Sequence, residues 1–199
     1  MKLFPALTTW LAIAAAPAIA SAAVVDFEHT WQYGDAVDNY YAADGVTFSN
    51  VLGVSNDNDF TYYSNAPSMV GVAMAQLDGV TNTAAFMNVA AGVDSTMSFY
   101  FSTPSDVLGA VKAYSGLNGT GTLLGTLDLQ ANAAAYDNWT LATFNFSGIA
   151  RSFDLTASAN VVGLDNASIT AVPEASGAGM ALVGLIVPLV LGLRNRRRA

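Results

Sequence analysis

The eight residues Ser95–Ser102, STMSFYFS, put Met97, Phe99 and Phe101 at alternate positions with Ser98 and Tyr100 between them. A two-residue apolar period is the pattern of a β-strand with one face buried. Similar runs recur through the middle of the chain, broken by Gly, Asn, Asp, Ser and Pro. They are Val24–Glu28, Val46–Leu52, Ser68–Met74, Ala84–Val89, Val107–Tyr114, Gly121–Leu129, Thr140–Phe146, Ile149–Thr156 and Val161–Thr170. Val25 and Phe27 are expected to point inward in the first run, and Val46, Phe48 and Leu52 in the second. Turns are expected at Asp44-Gly45 and Asn118-Gly119, with a tight hairpin at Phe146–Ile149. Ala131–Asn138 suffices for one helical turn. Nine or ten strands at regular spacing predict an all-β fold, a two-sheet antiparallel β-sandwich of the jelly-roll kind. With no cysteine in the chain, such a domain is held by burial alone and has neither disulfides nor thiolate metal sites.

Both ends break the pattern. Lys2 precedes a nearly unbroken apolar stretch from Leu3 to Ile19, and Ala20-Ser21-Ala22 has small residues at the spacing of a secretory cleavage site. Pro5 and Pro17 would interrupt a core helix there, so residues 1–22 read as a signal peptide with Ala20 and Ala22 at its cleavage site. At the other end Gly177–Leu193 runs 17 residues without a charge. As a helix it would be about 25 Å long at ~1.5 Å per residue, at the short limit of a membrane span. Arg194, Arg196, Arg197 and Arg198 follow at once, which predicts a cytoplasmic C-terminus and a body on the outer side. The division expected is therefore a leader at 1–22, a β domain at 23–171 and a tail at 172–199 with a transmembrane helix at 177–193.

The β domain carries thirteen Asp and one Glu against Lys112 and Arg151, a net charge of −12 beside −8 for the whole chain. So acidic a body repels nucleic acid and anionic membranes. Its many Asp and Asn suit a hard cation such as Ca²⁺, and they suit solvated turns equally well. The run Asn56-Asp57-Asn58-Asp59 lacks the glycine and the terminal acid of an EF-hand loop and reads as an Asx-rich turn. His29, the one histidine, rules out a multi-histidine zinc site.

The tail has a recognisable order of parts. Val172-Pro173-Glu174, a short spacer, an apolar helix and a terminal arginine cluster resemble a PEP-CTERM sorting signal, with Ala175 standing where the family's second proline does. The resemblance implies an exported protein of a polysaccharide-producing Gram-negative bacterium, held briefly in the inner membrane with its body outside. It implies further that an exosortase cleaves the tail, leaving the body at the cell surface or outside the cell. The phrases VVDFE, STMSFYFSTPSDVLGAVKAYSGLNGTGTLLGTLDL and SFDLTASANVVGLDNASI resemble the ectodomain common in that family, which is similar to galactose-binding-like jelly rolls and carbohydrate-binding modules. In such jelly rolls a structural Ca²⁺ often ties the first strand to the last. The matching residues are Glu28 and Asp26 at the start and Asp165 with Asn166 at the end.

Two aromatic-rich loops stand out, one with Trp31, Tyr33, Tyr40 and Tyr41, the other with Tyr62 and Tyr63, and Trp139 opens a late strand. Flat rings beside Asp and Asn are what sugar recognition uses; the same rings also serve to cap a sandwich core. Glycoside hydrolysis needs two carboxylates on one cleft, and fourteen acids offer pairs without specificity. No Gly-x-Ser-x-Gly, Walker, His-Glu-x-x-His or Rossmann pattern is present, and His29 reads as a packed or surface histidine. The sequence thus points to an exported, non-catalytic β-sandwich with a structural or adhesive role in extracellular polysaccharide or biofilm matrix. A carbohydrate-binding module with a defined glycan site and a secreted glycan-acting hydrolase are the alternatives.

Overall fold

The computed structural model describes residues 21–172. The expectations for Ala20, Pro173, Glu174, the 177–193 helix and Arg194, Arg196, Arg197 and Arg198 lie outside the described residues. Among the described residues no helix is long and apolar enough to cross a membrane.

Nine strands form one hydrogen-bonded sheet in which all pairs are antiparallel. They are β1 (Ser21–Val25), β2 (Val46–Ser49), β3 (Val51–Val54), β4 (Val72–Ala75), β5 (Phe86–Ser102), β6 (Val107–Tyr114), β7 (Leu123–Leu129), β8 (Thr140–Asp154) and β9 (Gly163–Ala171). The order is β3-β4-β9-β5-β8-β6-β7, with β1 added to β9 and β2 to β5. The sheet curls into two arms. In one, β2, the start of β5, the end of β8, β6 and β7 lie together; in the other, the start of β8, the end of β5, β9, β4 and β3. Phe48 and Met87 of the first arm and Phe99 and Leu164 of the second line a single residual void of about 20 Å³. The arms therefore face one another across one core.

The alternation in the sequence explains the faces. Met97, Phe99 and Phe101 of β5 and Ala142, Phe144 and Phe146 of β8 are all buried. Burying one such phenylalanine contributes roughly 1.5–3 kcal/mol. Three expectations are corrected. Phe146–Ile149 is not a hairpin: β8 runs through it, and Ser95 of β5 and Gly148 of β8 take positive φ where the register slips between the pairs Asp94↔Ile149 and Thr96↔Asn145. A bulge of this kind bends a strand instead of ending it, and it lets β5 and β8 pass from one arm to the other. Val46–Leu52 is likewise two strands, because Asn50 at φ 55° resets the alternation. Val51 is consequently the buried residue, and Leu52 is only half-buried. Ala131–Asn138 forms no helix.

Val25 and Phe27 point inward as expected, although β1 ends at Val25 because Phe27 takes φ 55°. β1 begins inside the expected leader, pairing Ser21 with Ala171 and Ala22 with Thr170. A chain starting at Ala23 keeps the pairs from Ala23↔Ile169 to Val25↔Ala167. At the other end the Val172 N–H donates to the Gly92 carbonyl at 2.8 Å, so the sheet holds the chain as far as Val172.

Candidate functional site

Beside β3, β4 and the start of β9, six aromatic residues surround a cleft of about 200 Å³: Trp31, Tyr33, Tyr62, Tyr63, Tyr136 and Trp139. Gly53 of β3 and Gly163 of β9 form part of its lining. Both are small because a ring lies on them. A Cβ at Gly53 would overlap the Trp31 indole, and one at Gly163 would stand 3.0 Å from the Trp139 ring.

Each loop is tied by its own polar side chains. The Trp31 indole N–H donates to the Phe27 carbonyl at 3.1 Å, and its main-chain N–H donates to the Ser55 hydroxyl at 2.9 Å. In the second loop the Asn56 side-chain oxygen accepts from the main-chain N–H of Tyr62 (2.7 Å) and Tyr63 (3.2 Å). Asp57 caps a turn by accepting from the N–H groups of Asp59 and Phe60 at 2.8 and 2.6 Å, the Asx turn that the sequence suggests. The third loop locks onto the second. The Trp139 indole donates to the Ser64 carbonyl at 3.0 Å, the Asn65 amide to the Asp137 carbonyl at 3.0 Å, and the Tyr136 hydroxyl to the Val161 carbonyl at 2.8 Å.

The predicted aromatic residues divide accordingly. Tyr33 stands 88% exposed and Tyr62 is half-buried, so both offer faces to the cleft. Trp31 and Tyr63 line it but are 6% and 4% exposed and serve as wall and floor. Tyr40 and Tyr41 are not part of it. Tyr41 packs against Phe27 and Phe48 with its hydroxyl donating to Asp26 at 3.2 Å. Burial and that carboxylate push its phenol well above the usual range. Tyr40 packs on Trp31 and, with its hydroxyl 3.3 Å from Nδ1, on His29. His29 in turn meets Trp31 edge-on, a packed histidine. Tyr136, Gly53 and Gly163 were not legible as site residues. An ANAAAYDN segment signals little by itself, and nothing local marks a glycine as the seat of a ring distant in sequence.

The residues matched to a calcium site also come together. Asp165, 0% exposed, accepts from the Ser68 N–H at 2.6 Å and the Asn166 N–H at 2.7 Å. Burial nevertheless raises its pKa to about 6, with the Glu28 charge adding to the rise. The Ser68 hydroxyl donates to the Asp26 carbonyl at 2.5 Å and lies 3.3 Å from the Asn166 side-chain oxygen. Glu28 accepts from the Val70 N–H at 3.3 Å. Asp26 contributes its main-chain oxygen to this cluster, since its carboxylate is turned to Tyr41. The Tyr63 hydroxyl is buried without a partner, and its pKa is pushed up to about 12 by burial and by Asp165 and Glu28. Among the described residues no group of three or more His, Cys, Asp or Glu side chains is placed to hold a metal ion. A buried carboxylate at Asp165 repelled by the exposed Glu28, amide and carbonyl oxygens and an orphan hydroxyl are still donors of the type that a hard cation takes, and in that sense the residues fit Ca²⁺.

No protein-family model matches the sequence, and no curated protein matches it. Among solved structures the chain is similar to a cleaved adhesin domain of Lys-gingipain from Porphyromonas gingivalis, with TM-score 0.47, 14% identity, and coverage of 76% of this chain and 98% of that one. It is also similar to a carbohydrate-binding module from Clostridium stercorarium solved with cellobiose, with TM-score 0.41, 15% identity, and coverage of 65% and 90%. A family 29 carbohydrate-binding module from Piromyces equi gives TM-score 0.39, 13% identity, and coverage of 77% and 92%. These likenesses are partial, and the architecture described above rests on its own strand pairing.

Proposed function

We propose that this chain is an exported, non-catalytic glycan-binding domain of jelly-roll type that carries its aromatic cleft into extracellular polysaccharide or biofilm matrix. The observation that supports it is the cleft: loops far apart in sequence bring Tyr33, Tyr62, Tyr136 and Trp139 to one concavity beside Gln32, Gln76 and Asp57. Flat faces stack on the C–H side of a sugar while amide and carboxylate groups meet its hydroxyls. Asp57 is the one carboxylate among the lining residues, whereas glycoside hydrolysis uses two.

Glycan-array binding is expected to be lost, by at least about tenfold in affinity, in Tyr33→Ala and in Trp139→Ala. Trp31→Ala would be a poorer probe because that ring is part of the packed interior. Retained binding in both variants, with thermal melting unchanged, would remove the cleft from the proposal. A matrix protein without a defined glycan site would then be the better account.

The tail belongs to the same proposal: residues 1–22 export the chain, and 172–199 sort it through the inner membrane to an exosortase. Cells expressing the full chain are expected to release a body that lacks residues 177–199. Recovery of the intact chain alone, held in membranes, would mean that Ala175 blocks processing. One structural Ca²⁺ at Glu28, Asp165 and Asn166 completes the reading.

A further inference from the structure

The cleft presents charge of one sign. Asp57 is its one charged lining residue, and no Lys, Arg or His lines it. The turn that holds Asp57 uses only its Oδ1, which accepts from Asp59 and Phe60; among the described residues nothing donates to its Oδ2. Burial raises the pKa of the Tyr62 phenol, and the charges of Asp57 and Asp59 add to the rise. Lys112 and Arg151, the two cations of the β domain, belong to β6 and β8 and lie outside the cleft.

We propose that the cleft selects its glycan by charge, taking chains whose sugars carry free amino groups ahead of neutral ones and rejecting chains that bear carboxylates or sulfates. The proposal rests on the glycan-binding reading above. An ammonium group entering the cleft donates a charge-assisted hydrogen bond to the free oxygen of Asp57. It also meets the electron-rich faces of Tyr33, Tyr62 and Trp139, which attract cations. An anionic sugar meets no charged donor, is repelled by Asp57, and approaches a domain of net charge −12. A neutral sugar keeps the stacking and loses only the charge contribution.

The test compares hexamers of glucosamine, N-acetylglucosamine and galacturonic acid on the full chain, by calorimetry at about 20 and about 150 mM NaCl, conditions that differ in screening length. The glucosamine hexamer is expected to bind at least about tenfold tighter than its acetylated form, equivalent to about 1.4 kcal/mol. The gap narrows at the higher salt, and the galacturonate does not bind. Asp57→Asn is expected to erase the gap while sparing the turn, because asparagine keeps the side-chain oxygen that caps it. Asp44→Asn removes the same charge from an exposed turn outside the cleft and is expected to leave the gap intact. Equal affinity for the amino and acetyl hexamers, or binding of the galacturonate, overturns charge selection and leaves glycan binding standing. A gap that Asp44→Asn erases as fully as Asp57→Asn also overturns it, by showing attraction to the acidic surface at large. Failure of all three hexamers and of neutral β-glucan to bind overturns the glycan-binding reading and this proposal with it.

Discussion

Gly53→Ala is expected to destabilise the domain by about 1–3 kcal/mol, the usual cost of overpacking, and to abolish the proposed glycan binding with it. The added methyl group would fall inside the Trp31 indole, and neither partner has room to yield. Gly53 pairs with Ala73 across β3 and β4, and its N–H donates to the Asp35 carbonyl at 3.0 Å. Trp31 is fixed at its indole by Phe27 and at its main chain by Ser55, and it is backed by His29 and Tyr40. Relief therefore requires the ring to swing out, which removes the wall of the cleft and opens the core beneath it. Urea unfolding followed by tryptophan fluorescence measures both effects, as a lower midpoint and a red-shifted native spectrum. An unchanged midpoint would show that the indole does not rest on Gly53.

Lowering the pH from about 7 to about 4 in EDTA is expected to raise stability, with Asp165 contributing about 3 kcal/mol for a shift of about two pH units. In the fold Asp165 holds its proton up to about pH 6, whereas its ordinary value is 3.8. Between those values the native state binds more protons than the unfolded one. The stabilisation is complete below the lower value and is lost as pH rises through about 6. Ca²⁺ acts in the opposite sense, because it favours the ionised Glu28 and Asp165. Millimolar Ca²⁺ is expected to raise Tm at pH 7 to 8 and to flatten the pH dependence; at a hundred times Kd the linkage amounts to about 2.7 kcal/mol. A Tm indifferent to Ca²⁺ would sink the cation proposal and leave the proton effect in place. A flat profile in EDTA would contradict the burial of Asp165.

The two predictions draw on different kinds of information. Glu28, Asp26, Asp165 and Asn166 are matched through the resemblance to jelly rolls in which a cation ties the first strand to the last, and the fold brings all but the Asp26 carboxylate together. Gly53 could not be found in this way. Its importance comes from a ring 22 positions earlier in the sequence, and nothing local distinguishes it from a glycine in an open turn. The aromatic residues fall between these cases. Their abundance in two loops was evident, but the division into packed rings (Trp31, Tyr41, Tyr63) and presented ones (Tyr33, Tyr62) depends on which loop covers which. Tyr136 joins the cleft only because the third loop locks onto the second through Ser64 and Asn65.

By itself the chain's alternation determined an antiparallel all-β domain, because a two-residue apolar period can bury its greasy face in no other regular structure. Its acidity determined the sign of the charge that the domain presents. Tertiary structure decided the rest. Positive φ at Ser95 and Gly148 turned an expected hairpin into a bend, so that β5 and β8 run through both arms. Asn50 reset which side chains face the core. The cleft exists because three loops, each held by its own polar residues, converge beside two glycines that leave space for rings. Such convergence depends on contacts between residues far apart in the chain, which local patterns do not encode.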